Sequence, residues 1–206
     1  MSDEMPGYLI ELSENDRKIA EDFATAIDST VRAIYEKRDD QRYDQKPQRL
    51  HEQQVGAKMT EIAVHRHLTS LGYTCSEPDF KIYDRKDKNF SPDMRLDDGS
   101  PIHVKSQEPH VAKQRGISWM VEKTDKEIYV NTTGYMALCL VSLEHNTVRL
   151  LGLPKTSFLK EKSILYGVPQ VEKLRRTKST IYYDDLRQHE ESDIWALRGP
   201  SDESNL

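Results

Sequence analysis

One stretch constrains the fold more than any other. Tyr135 to Leu143, YMALCLVSL, is almost continuously apolar in a chain of 206 residues of which 32% are charged. It is far shorter than the roughly 20 apolar residues that cross a bilayer. Its uninterrupted pattern suits a strand covered on both faces rather than one with a solvated side. Glu144-His145-Asn146 then turns the chain into Thr147 to Leu153, which reads as the second arm of a hairpin.

Helical signals precede that strand. From Ser13 to Lys37 the apolar residues Ile19, Phe23, Ile27, Val31 and Ile34 recur every three or four positions, giving one buried stripe. Ser13 followed by Asp16 forms a capping-box start, with Asp in place of Glu or Gln. That stripe either covers the sheet or forms a homodimer interface. The polar stretch from Arg38 to Arg49, which contains Pro47, reads as a solvated linker or a helix end. A second helix from Gln48 to Leu71 is apolar on two sides and stops at Gly72, so it is expected to pack between layers. Beyond it the period changes to two, which predicts short strands at Phe80 and Ile82, Met94 and Leu96, and Ile102 and Val104. After Pro154 the pattern gives a helix near Phe158 to Tyr166, a basic segment from Lys173 to Lys178 and a short apolar Ile181-Tyr182-Tyr183.

Composition narrows the setting. The acidic N-terminus has no secretory pattern. Cys75 and Cys139 match no zinc or disulfide spacing. A soluble cytoplasmic protein without a membrane partner is the expectation. A net charge of −5 argues against coating nucleic acid through bulk charge, and leaves open a grip through a local basic patch.

The chemistry concentrates in residues 92–107, PDMRLDDGSPIHVKSQ. Alternate strand residues share a face, so Ile102 and Val104 point to the core while His103, Lys105 and Gln107 point together to the other side. A three-residue loop centred on Gly99 pairs Asp97 with Pro101 and sets Asp93 opposite Lys105. A two-residue turn would send the Asp93 carboxylate into the core, which is costly. An aspartate beside a lysine suits phosphodiester cleavage. The carboxylate holds a divalent ion, and the lysine orients a water and stabilises the transition state.

At these residues the chain resembles the PD-(D/E)XK nuclease superfamily, the restriction-endonuclease-like fold. Pro92-Asp93 is similar to the PD half-motif. His103-Val104-Lys105 is similar to the (D/E)XK half-motif with His in place of the acid. The helix Gly56 to Tyr73 resembles the family's core helix, with Glu61 at the position of an added metal ligand. Gln107 matches a glutamine two residues after the lysine in several subfamilies. The resemblance covers about residues 50–155. It implies an α/β restriction-endonuclease-like core with a mixed central β-sheet flanked by helices and an extra N-terminal helix. The domain would span 48–198, after an N-terminal extension and linker at 1–47 and before a disordered tail at 199–206. The implied activity is hydrolysis of DNA phosphodiesters with magnesium or manganese. Asp93, Glu61 and His103 would be the ligands, and Asp93, Lys105, Glu61 and Gln107 the catalytic set. Imidazole is a poorer ligand for magnesium than carboxylate. The replacement therefore also fits an inactive module that binds nucleic acid or a protein.

Lys113 and Arg115 lie just upstream of Trp119, which reads either as a base-stacking surface or as core. Arg175, Arg176 and Lys178 read either as phosphate contacts or as a solvated face.

Overall fold

The computed structural model describes residues 5–36, 47–82, 91–130 and 133–197. In chain order the first elements are β1 (Tyr8–Glu11), α1 (Glu14–Glu36), α2 (Pro47–Ser70), β2 (Met94–Arg95), β3 (Pro101–Gln107), α3 (Pro109–Arg115) and β4 (Ser118–Glu122). There follow α4 (Lys126–Tyr129), β5 (Tyr135–Ser142), β6 (Thr147–Gly152), α5 (Thr156–Glu161), β7 (Lys178–Tyr182), α6 (Tyr183–Leu186) and α7 (Glu191–Ile194). The fold is mixed α/β. Its main sheet has the order β1-β6-β5-β3-β2, with β3 and β5 parallel and the other pairs antiparallel. β4 and β7 form a separate two-stranded sheet.

β5 sits at the centre, and its alternating residues feed two cores. Ala137, Cys139 and Val141 join Ile102, Val148 and Leu150 beneath α1 and α2. Met136, Leu138 and Leu140 join Leu151, Trp119, Val121 and Ile181 on the opposite face. This explains the unbroken apolar run, because each buried Leu or Met side chain contributes about 1.5–3 kcal/mol whichever face it serves. Gly134, just before β5, lets that strand start close to β3, since a Cβ there would lie 2.5 Å from the Pro101 carbonyl oxygen.

The N-terminal segment is built into this architecture. β1 pairs with β6 at the sheet edge, and α1 packs on α2, which in turn lies on the sheet. The capping box forms as expected, with Ser13 N donating to Asp16 Oδ2 at 2.8 Å and Asp16 N to Ser13 Oγ at 3.2 Å. Arg66 on α2 donates to Asp16 Oδ1 at 2.6 Å, tying the two helices together. The buried stripe of α1 runs through Ala20 and Ala24, whereas Ile19 is exposed. Within the chain, then, α1 covers α2 rather than the sheet.

Three expectations are corrected. Phe80 and Ile82 belong to no strand and are exposed, because Phe80 packs edge-on against Phe23, 5.8 Å between ring centroids, instead of joining a ladder. The helix expected from Gln48 begins one residue earlier, at Pro47, whose fixed φ and missing N–H suit a first turn. The basic segment starting at Lys173 is a short 3-10 turn, Glu172–Leu174, leading into β7. Linker residues 37–46 and the tail at 199–206 lie outside the described residues. Among the described residues no helix is long and apolar enough to cross a membrane.

Candidate active site

The hairpin between β2 and β3 sets the site. Met94 pairs with Ile102 and Arg95 with Pro101, and the ladder continues to Leu96 and Ser100, joined by a 3.0 Å bond from Leu96 N to Ser100 O. The loop is therefore Asp97-Asp98-Gly99. Gly99 takes φ +82°, the left-handed conformation that closes a three-residue hairpin loop at its last position. Gly99 thus ends the loop rather than centring it, and the register shifts by two residues. The ladder ends at Met94–Ile102, so Asp93 pairs with no residue of β3 and does not stand across from Lys105. The faces of β3 itself follow from alternation and are unchanged by the shift.

Asp93 stands where the β2 ladder ends. Its backbone N–H donates to Ile102 O at 3.1 Å, and its Oδ2 accepts the Val104 N–H at 2.7 Å. A side chain thus satisfies the backbone donor that β2 no longer reaches. The carboxylate lies at the open edge of β3, one residue from Lys105.

Glu61 approaches from α2 and is buried. Burial, and next the negative charge of Asp93, push its pKa up from 4.5 to about 7, against the opposing pull of Lys58. Lys58 Nζ donates to Glu61 Oε2 at 2.6 Å and to the Asp79 carbonyl at 2.7 Å. The same ammonium sits 4.5 Å from the Phe23 ring centroid and 5.1 Å from that of Phe80, within cation–π range. Sequence reasoning missed both Lys58 and Asp79. The signals were present: Lys58 is three residues before Glu61 on a helix buried on two sides, and Pro78-Asp79 is a second Pro-Asp dipeptide.

His103, Lys105 and Gln107 share the opposite face of β3, beside Met136, Leu138 and Leu140 of β5. The sheet therefore separates them from Glu61, and the ligand set Asp93, Glu61 and His103 is not gathered on one side. His103 is buried, and burial, then the positive charges of Lys105 and Arg95, push its pKa down to about 4. It is a neutral imidazole at pH 7, and its Nε2 has no hydrogen-bond partner among the described residues. Gln107 braces the α3–β4 turn. Its Nε2 donates to Gly116 O at 3.1 Å and its Oε1 accepts from Ser118 N at 3.0 Å. Both ends of its amide are taken up by backbone groups.

Lys105 is half-buried and near Asp125. Burial raises the pKa of that carboxylate, and the Lys105 charge partly opposes the rise. Lys105 also lines a cleft of about 350 Å³ at the carboxyl end of β3, together with Arg49 of α2 and Arg115 of α3. Crevices at the carboxyl ends of parallel strands are the usual ligand sites of open α/β sheets.

The expected basic residues divide. Gln170 donates to the Arg115 carbonyl at 3.0 Å, and Lys123 donates to the Arg175 carbonyl at 2.7 Å. Arg175 Nε donates to the Pro169 carbonyl at 3.0 Å, so its side chain lies beside the Gln170 that meets the end of α3. Lys113, Arg115, Arg175 and Arg176 are exposed. Lys178 is different: it pairs with Glu122 at 2.6 Å across the β4–β7 ladder, so it serves the sheet. Trp119 is core, buried, with its Nε1 donating to the Cys139 carbonyl at 2.8 Å.

Among the described residues no group of three or more His, Cys, Asp and Glu side chains is placed to hold a metal ion. Glu61 and Asp93 are the two carboxylates whose donor chemistry suits a magnesium-type ion. The Asp93 charge raises the proton affinity of Glu61, and magnesium sites use one or two carboxylates, with water and substrate phosphate as the remaining ligands. His103 does not fit, because it faces away. No family model, curated protein or solved structure matches this chain.

Proposed function

We propose that the chain is a metal-dependent nuclease with a restriction-endonuclease-like core, hydrolysing phosphodiester bonds in DNA. The observation that carries this reading is the Asp93 carboxylate on the Val104 N–H, one residue from the lysine of a cationic cleft, with its charge felt by the buried Glu61 of α2. Asp93 and Glu61 would hold magnesium or manganese, which when bound supplies a Lewis acid for the scissile phosphate and acidifies water. Lys105, which the fold sets on the face of β3 opposite Glu61, stabilises charge on the phosphate from the cleft side. Arg49 and Arg115 hold flanking phosphates. Gln107 acts at one remove, by fixing the turn that carries Ser118.

A second reading has its own support. Lys58 already places a positive charge on Glu61, 2.6 Å away, which suits a module that binds nucleic acid or a protein without cleaving. Purified protein with magnesium or manganese distinguishes the two when tested on supercoiled plasmid, linear duplex, single strands and RNA. The nuclease reading expects metal-dependent cleavage, abolished by Lys105→Ala in a folded protein. Cleavage unchanged in that variant, or no metal binding by calorimetry up to millimolar concentration, overturns it.

A further inference from the structure

We infer that the Lys105 cleft receives one unpaired nucleotide of a single-stranded DNA. This rests on reading that cleft as the nucleic-acid site, and it adds the form of the substrate. Size comes first. At about 350 Å³ the cleft lies near the lower end of the roughly 300–1,000 Å³ range of small-ligand sites. A single nucleotide fits that space, whereas a base still paired and stacked in a duplex cannot turn into it.

The lining has two chemical characters. Arg49, Lys105 and Arg115 offer three cations to phosphate oxygens, and two of them offer guanidinium planes on which a base can stack. Val111, Met120 and Val141 offer apolar surface, and Met120 is 45% exposed. A phosphate at one end and a planar, weakly polar base at the other is the ligand that meets both.

Charge around the rim selects one strand. On the α3 side Gln170 donates to the Arg115 carbonyl and Arg175 Nε to the Pro169 carbonyl, each at 3.0 Å, so the exposed Arg175 extends the cations from Arg115 as a track for one backbone. On the other side Glu52 and Glu108 line the cleft and also an adjoining hollow with Glu144. A duplex carries two phosphate backbones, and the second would fall toward these carboxylates. A lone strand follows the cations and avoids them. Glu52 accepts from Gln48 Nε2 at 3.0 Å and Glu108 lies 3.2 Å from His110 Nδ1; each carboxylate has further acceptor positions for the exocyclic amine of an unpaired base, as in contacts to cytosine.

The test is fluorescence anisotropy with the full chain in EDTA, so that cleavage plays no part. The probes are a short labelled DNA strand of mixed sequence, its blunt duplex and the RNA of the same sequence. The DNA strand should bind roughly tenfold or more tightly than the duplex. Arg115→Glu and Arg49→Glu should each weaken it by a similar factor, with circular dichroism unchanged. Both side chains are exposed, so the fold tolerates the changes. Equal or tighter duplex binding, tighter RNA binding, or undiminished binding by both variants overturns the inference. Single-strand binding without cleavage in magnesium supports it while overturning the nuclease reading. Cleavage confined to duplex does the reverse.

Discussion

Replacing Glu61 by Gln should flatten the dependence of stability on pH. The Glu61 pKa is raised from 4.5 in the unfolded chain to about 7 in the native state. Between those values the native state holds a proton that the unfolded state has lost, so stability falls as pH rises. Below about pH 4.5 both states are protonated and the contribution is fully present; above about pH 7 it is gone. Integrating for one group gives a loss of about 2.5 kcal/mol between roughly pH 5 and pH 8. Urea unfolding at intervals across that range measures it, and comparison with Glu61→Gln subtracts the histidines and other carboxylates. The difference in slope between the two proteins should sum to about 2.5 kcal/mol. Asp93→Asn is the internal check. It keeps an oxygen for the Val104 N–H but removes the charge, so it should shrink the slope without abolishing it, because burial is the larger cause. A Glu61→Gln protein that retains the wild-type slope refutes the argument.

Lys58→Met should cost about 3–5 kcal/mol at pH 8 in EDTA, since it leaves a buried carboxylate without its counter-charge. In the nuclease reading magnesium at about a hundred times its Kd returns about 2.7 kcal/mol; thermal melts with and without metal decide. Gln107→Ala should lower stability by about 1–2 kcal/mol by freeing Gly116 O and Ser118 N. A loss of kcat with an unchanged Tm would instead place Gln107 in the chemistry. Gly134→Ala should destabilise by about 1–3 kcal/mol, because the new methyl meets Pro101 O at 2.5 Å and Pro101 Cγ at 2.6 Å. An unchanged urea midpoint would show that β3 and β5 can separate there.

What was legible in the sequence follows from how local each cause is. The buried run of β5, the two-sided α2 and the Ser13–Asp16 cap depend on spacing within one segment, and each is found as read. The faces of β3 depend only on alternation, so they survived a register error that arose from Gly99 ending its loop. β1 was not legible, because a four-residue edge strand with three exposed positions carries no period. Lys178 is paired by a glutamate 56 residues away, a relation no local pattern contains. Lys58 became a site residue only because the chain after α2 returns to lay the Asp79 carbonyl and the Phe80 ring over it. The alternation at Phe80 and Ile82 was real, but one half of it reflects that packing and no ladder.

The position of Lys58 also bears on which reading of the site is sound. Breaking a buried ion pair costs several kcal/mol, yet an intact pair adds little over a hydrophobic replacement. The Lys58–Glu61 contact is therefore weak as a stabilising device. Two features of its setting suit exchange better. Lys58 has three further supports, the Asp79 carbonyl and the Phe23 and Phe80 rings, so its ammonium is not stranded when Glu61 turns to another cation. Glu61 is poised near neutrality, so a small change in local charge decides whether it is ionised. With both carboxylates ionised and Lys58 charged, the cluster of Glu61, Asp93 and Lys58 carries one net negative charge in a buried setting. In the nuclease reading, Glu61 and Asp93 would hold a divalent ion that reverses that sign, while Lys105 lies on the other face of β3. The ammonium therefore offsets one of the two carboxylate charges, which makes it compatible with the proposed catalysis rather than evidence against it.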